Sequence, residues 1–99
     1  MKVTVVGSLN QDIFLKVNRL PKVGETIAAN AVVRAYGGKG ANTAVAASRL
    51  GATTSMMGQV GNDGDGQGYI SYLQKEEKID ISGVKILEDV PTGQAFILS

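Results

Sequence analysis

Gly37-Gly38-Lys39-Gly40-Ala41-Asn42-Thr43-Ala44 places three glycines, a lysine and an asparagine at the start of an alanine-rich run. Glycine has no Cβ to block approach and tolerates left-handed dihedrals, so such a loop can bring bare backbone N–H groups up to a polar ligand. The same glycines also serve the geometry of an ordinary strand-to-helix turn. Residues 41–50 continue as a helix whose Ala44, Val45, Ala47 and Ser48 give a small-residue face, and Gly51 ends it. A helix with a face this small lies close against a sheet.

The flanking segments build the sheet. Residues 3–6 are a short β-branched run closed by Gly7-Ser8, the pattern of a buried central strand opening into a loop that carries Asn10 and Asp12. Residues 13–17 alternate loosely and lead into the turn Asn18-Arg19-Leu20-Pro21, after which 25–30 and 31–36 read as further strands, a β-meander. Downstream come a strand at 53–57, a glycine-rich loop at 58–68 and an amphipathic helix at 69–78 with Tyr69, Ile70 and Leu73 on its apolar side. Apolar segments at 79–81 and 84–87 flank Gly83, and a turn at 89–93 feeds an apolar strand at 94–98. Strands alternating with helices predict an α/β domain over residues 1–99, a Rossmann-like, mainly parallel sheet flanked by helices, with 13–36 projecting as a small separate sheet. A hydrophobic strand this near the last residue leaves an unpaired edge, which predicts the N-terminal part of a longer chain.

Composition narrows the chemistry. Ninety-nine residues suit one small domain, and an apolar fraction of 43% with 19% charged residues is ordinary for a globular protein. Ten basic residues are scattered among nine acidic ones for a net charge of +1, so neither disorder nor a nucleic-acid footprint is indicated. The chain has no cysteine and no histidine. That removes disulfides, thiolate zinc sites, Ser-His and Cys-His catalysis and the near-neutral proton shuttle, leaving carboxylates, lysine and backbone dipoles. The N-terminal run is too short for a signal peptide and no apolar stretch approaches membrane-spanning length, so the expectation is a cytoplasmic protein without nucleic-acid or membrane partners.

Ligands of α/β sheets bind beyond the C-terminal ends of strands, where Asn10, Asp12 and the Gly37-to-Asn42 loop fall. Asn10 and Asp12, two residues apart, could point to one side and offer a carboxylate acceptor beside an amide, a pairing suited to vicinal hydroxyls; they could equally satisfy local backbone in a turn. Lys39 is either a charge for a ligand or a solvated loop residue. The loop lacks Walker spacing, which argues against phosphate binding, and it lacks the third glycine of a dinucleotide fingerprint. Asn42, in the helix's first turn, reads as a ligand contact or a local cap. Asn62-Asp63-Gly64-Asp65-Gly66 is not a calcium loop, because Gln74 stands where the bidentate glutamate would be; Asp63 or Asp65 instead caps the following helix.

The spacing from Gly37 through Ala44, six residues to Gly51 and nine more to Gly61, resembles the N-terminal signature of the ribokinase-like carbohydrate kinase family. Gly7-Ser8-Leu9-Asn10-Gln11-Asp12 and Pro21-Lys22-Val23-Gly24-Glu25-Thr26 are similar to that family's opening segments, so the likeness covers essentially the whole chain. Gly-Gly-Lys-Gly-Ala-Asn is closest to the family's D-ribose-phosphorylating branch; fructokinase-like and ketodeoxygluconate-kinase-like members more often carry alanine-proline after the glycines. The resemblance implies that Asn10, Asp12, Gly38, Lys39, Gly40 and Asn42 bind D-ribose or a related sugar, that the projecting strands form a lid over it, and that lid strands or an exposed sheet edge pair subunits into a homo-oligomer. For an intact kinase it implies MgATP and a monovalent cation, with a catalytic aspartate in a second, C-terminal signature that this sequence lacks. The 99 residues alone are expected to bind no cofactor or metal and to be inactive; the competing expectation is a non-catalytic α/β fragment that self-associates and binds little sugar.

Overall fold

The computed structural model describes residues 1–98, so Ser99 of the expected 1–99 unit lies outside them. The chain runs β1 (Lys2–Val6), β2 (Asn10–Lys16), β3 (Ala31–Gly37), α1 (Lys39–Arg49), β4 (Thr53–Gly61), α2 (Gly64–Ser71), a π-helical turn (Tyr72–Glu76), β5 (Asp80–Leu87) and β6 (Gly93–Leu98). The strands form two three-stranded sheets, one ordered β1-β4-β5 and the other β3-β2-β6. The first is wholly parallel, with Lys2 opposite Thr53 and Val6 opposite Met57, as the α/β alternation predicted. The second pairs β2 antiparallel with β3 and parallel with β6.

Both helices cover one face of the parallel sheet. Ala41 and Ala44 of α1 pack with Met56, Val60, Tyr69, Leu73 and Ile79 around a core that also takes in Leu9. The small face of α1 permits this approach, and Gly51 closes the helix at a φ of 99°. On the opposite face Val6 is 76% and Met57 45% exposed.

Several sequence expectations are corrected. Residues 25–30 form no strand. Arg19 forks onto the Glu25 carboxylate at 2.6 Å and 2.6 Å, and the Lys22 N–H donates to the same carboxylate at 2.9 Å, so local polar bonds tie the start of this segment to the preceding turn. The expected meander is a β2–β3 hairpin joined by β6 from the far end of the chain. Asn10 and Asp12 lie in β2, not in a loop, because the Gly7-to-Leu9 link is short enough for pairing to begin at Asn10. The loop expected at 58–68 is the end of β4 followed by α2. Glycine's low helix propensity is overridden there by the Asp63 cap, which accepts from the Gly66 N–H at 2.8 Å, and by a backbone approach that leaves no room for a side chain at Gly66. The helix expected at 69–78 is the end of α2 and the π-helical turn, with Glu77 N–H donating to Tyr72 O at 3.2 Å. The segments around Gly83 are one continuous β5, whose register against β4 shifts between Ser55 and Met57.

A polar clasp joins the ends of the two helical segments. Arg49 contacts the 9% exposed Glu77 carboxylate at 2.5, 3.0 and 3.2 Å, the Tyr72 hydroxyl donates to it at 3.0 Å, and Ser48 Oγ donates to the Glu77 carbonyl at 2.7 Å. Arg49 holds the Glu77 carboxyl below the usual carboxylate range. The unfolded chain loses that partner, so the clasp stabilises fully above the unfolded-state pKa and its contribution vanishes as pH falls through the folded-state value. Glu77→Gln should therefore lower the melting temperature at about pH 7, and the gap to wild type should close toward about pH 3. Thermal melts across that range check it; a gap that stays constant would show that the charge is not what the clasp uses.

Candidate sugar-binding site

The site begins where β1 ends. Gly7 and Gly40 bring two backbones into contact: a Cβ on Gly40 would lie 2.6 Å from Gly7 Cα and 2.7 Å from Ser8 N. Beside them Gly38, at a φ of 101°, turns the chain from β3 into α1, and a Cβ there would fall 2.5 Å from the Ser8 carbonyl oxygen. Only glycine meets both demands. The Ala41 N–H then donates to Ser8 O at 3.0 Å, which seats the first turn of α1 directly on the segment leading into Asn10.

Alternation along β2 puts Asn10 and Asp12 on one face and the buried Gln11 and Ile13 on the other. The register explains why the polar pair stands clear. Asn10 lies between Gly37 and Gly93, and Asp12 between Ala35 and Ala95. A carboxylate and an amide thus rise from a floor of the smallest side chains. The Asp12 carboxylate leans over the Cα of Gly37, and Asn10 Oδ1 stands over Gly93. Farther along the same face, Phe14 lies between Val33 and Ile97 and forms an apolar border. Other side chains serve the local backbone instead: Gln11 Nε2 donates to Ala35 O at 3.2 Å and the Tyr69 hydroxyl donates to Gly37 O at 2.5 Å.

Asn10, Asp12 and Gly38 are therefore brought together. Gly40 is occupied by its packing on Gly7. Lys39 and Asn42 are exposed in the first turn of α1, where no side chain caps the helix, so N-terminal backbone donors and one cation border the site. The Asn42 N–H donates to Gly38 O at 2.9 Å, closing that turn. A cavity of about 490 Å³ opens beyond the C-terminal ends of the parallel strands, lined in part by Gly7, Ser8, Asn10, Met57, Leu87 and Gly93. Gly93 and Ala95 were not singled out in the sequence. Their place depends on β6 joining β2 in parallel, a pairing across some eighty residues that no local pattern encodes.

The arrangement can accept hydrogen bonds from neighbouring hydroxyls through Asp12, exchange them through Asn10 and donate from backbone N–H groups. Among the described residues no group of three or more His, Cys, Asp or Glu side chains could hold a metal ion. Nor does the sequence carry a Walker loop.

Comparison with known proteins agrees with this fold. The model of the pfkB family carbohydrate kinases matches residues 1–99. A ribokinase of Mus musculus is 43% identical over 96 residues, covering 97% of this chain and 29% of its own length. One from Dictyostelium discoideum is 38% identical, again over 97% of this chain and 30% of its own. The chain thus spans about a third of the length of the curated relatives it matches. Among solved structures, Arabidopsis thaliana ribokinase complexed with ribose and ATP superposes with a TM-score of 0.90 at 36% identity, over 97% of this chain and 31% of that one. A Methanocaldococcus jannaschii nucleoside kinase of the ribokinase family gives 0.89 at 34%, over 99% and 32%. The glycine-built turn, the parallel sheet and these matches together place the chain in the pfkB family of carbohydrate kinases.

Proposed function

We propose that this chain is the sugar-binding and lid portion of a ribokinase, whose intact form transfers the γ-phosphate of ATP to the 5-hydroxyl of D-ribose. The observation that carries this reading is the Asn10–Asp12 pair standing over Gly37, Gly93, Ala35 and Ala95 beside the Gly38 turn. A neutral pentose offers little charge or apolar area. It is held best by a carboxylate, an amide and backbone donors around its hydroxyls, with an apolar border that excludes water. In this reading Asn10 and Asp12 bind hydroxyls, Gly38, Gly40 and Asn42 present the cradle's backbone, Lys39 adds a donor, and the β3-β2-β6 sheet is the lid. Closure of that sheet over the sugar would reduce wasteful ATP hydrolysis. The catalytic base, MgATP and a monovalent cation belong to other parts of the intact kinase. The 99 residues alone are proposed to be inactive in phosphoryl transfer, which depends on positioning and charge stabilisation by such groups.

A second reading, self-association, is favoured by the lid face opposite Asn10, where Phe96 is 60%, Val32 58% and Leu98 41% exposed. These residues share a face through their register with Ile13 and Leu15, and could pair two copies into a homo-oligomer.

Asp12→Ala should weaken D-ribose binding by at least tenfold, given the ~1.5–3 kcal/mol of a hydrogen bond to a charged group, while leaving the fold intact. Calorimetric titration with D-ribose, alongside circular dichroism, measures both, and wild-type affinity in the variant would sink the sugar assignment. Gly38→Val should abolish binding and destabilise the chain, because valine resists positive φ and its Cβ would strike Ser8 O. Intact binding there would remove the cradle from the reading. If the apolar lid face pairs two copies, Phe96→Glu should shift sedimentation toward the monomer; an unchanged mass distribution would exclude that face.

A further inference from the structure

The two glycines that flank Asn10 are each tethered to the same helix. At one side, Asp63, the cap of α2, gathers the chain just before β6. Its Oδ1 accepts from the Gly66 N–H at 2.8 Å and from the Thr92 hydroxyl at 2.6 Å, and its Oδ2 accepts from the Thr92 N–H at 2.9 Å. Thr92 is 3% exposed and its Oγ1 also accepts from the Gly61 N–H at 2.9 Å, so the residue before Gly93 is bound to both β4 and α2. At the other side, Tyr69 of α2 is 1% exposed and its hydroxyl donates to Gly37 O at 2.5 Å, while its ring packs on Tyr36 with centroids 4.7 Å apart. Gly37 and Gly93 are the residues opposite Asn10 in the two ladders.

We propose that Asp63, acting through Thr92, and Tyr69, acting through its hydroxyl, are positioning residues that aim Asn10 at the sugar by fixing Gly93 and Gly37 to α2. The assignment rests on the sugar-binding reading of Asn10 for its functional consequence, though not for its geometry. The β3-β2-β6 ladder holds the sheet together internally but does not set where that sheet stands relative to α1 and the parallel sheet. Two hydrogen-bonded tethers one on each flank of β2 resist both tilt and twist, which a single hinge would allow. Asp65 adds outer ties on the same helix, to Gln94 at 3.1 Å and Arg34 at 3.5 Å. The hydrogen bonds from Thr92 also hold the Asp63 carboxyl below its ordinary range, consistent with an ionised acceptor.

The test uses the 99-residue chain, labelled with nitrogen-15. Asp63→Asn keeps a cap for Gly66 but turns an amide donor toward the Thr92 N–H; Tyr69→Phe removes only the hydroxyl. Both should leave the circular dichroism of the fold in place, displace the Asn10 side-chain amide and the Gly37 or Gly93 backbone signals, and weaken D-ribose binding by about tenfold. Thr92→Ser should restore wild-type signals where Thr92→Val does not, and Lys85→Gln, remote from the tethers, should change nothing. If wild type binds no ribose, the sugar reading falls, while displaced Asn10 signals in the variants still establish the tethers. Should Asp63→Asn fail to fold, Tyr69→Phe decides alone. A folded Tyr69→Phe with unmoved Asn10, Gly37 and Gly93 signals, whatever its melting temperature, overturns the proposal.

Discussion

Two stretches of bare backbone pressed together hold this molecule's plan in place. Gly7 at the end of β1 meets Gly40 in the first turn of α1, and Gly38 meets the Ser8 carbonyl. A methyl group at any of the three would push the helix away from the strand. Because the contact is tight, the Ala41 N–H reaches Ser8 O, α1 starts where β1 stops, and the chain between them must leave the parallel sheet and return within one excursion. That excursion is the β2–β3 hairpin. The second sheet therefore emerges beside the helix N-terminus as a consequence of the contact.

The core is built to permit this closeness. Ala41 and Ala44, both fully buried, give α1 almost no thickness on its inner side, and the bulk comes from Met56, Tyr69 and Leu73. Tyr69 does two jobs at once. Its ring fills space and joins Tyr36 and Tyr72 in an aromatic cluster that links β3 to α2 and the π-helical turn, and its hydroxyl finds the Gly37 carbonyl. Burial raises its pKa above the usual phenol value, so it remains a neutral donor. The polar interior is thus satisfied: among the described residues no buried side-chain nitrogen or oxygen lacks a partner.

The chemistry of the site follows from subtraction. Asn10 and Asp12 stand clear of bulky neighbours because glycine and alanine occupy the positions opposite them in the sheet. Larger neighbours would cover the carboxylate or draw it into a cross-strand bond. The pair stands on a floor of small residues, with Phe14 and Ile97 farther along the same face and the N-terminus of α1 alongside. The position relative to the parallel strands is where open α/β sheets generally place ligands.

The α/β alternation, the small-faced helix and the glycine turn were all legible in the sequence, because glycine spacing, β-branched runs and alanine faces are local signals with local causes. So was the candidate pair Asn10 and Asp12. Local signals misled where tertiary bonds outweighed propensity: Gly64-Asp65-Gly66 reads as loop yet is helix under the Asp63–Thr92 bonds, and 25–30 reads as strand yet is held by Arg19 and Glu25. Only the tertiary structure decided that β6 lies parallel to β2, that Gly93 and Ala95 therefore floor the site, and that α2 grips both flanks of Asn10. The physical reason is one of range. Dihedral preference and periodicity act over a few residues, whereas register between distant strands is set by which pairing lets the whole core close.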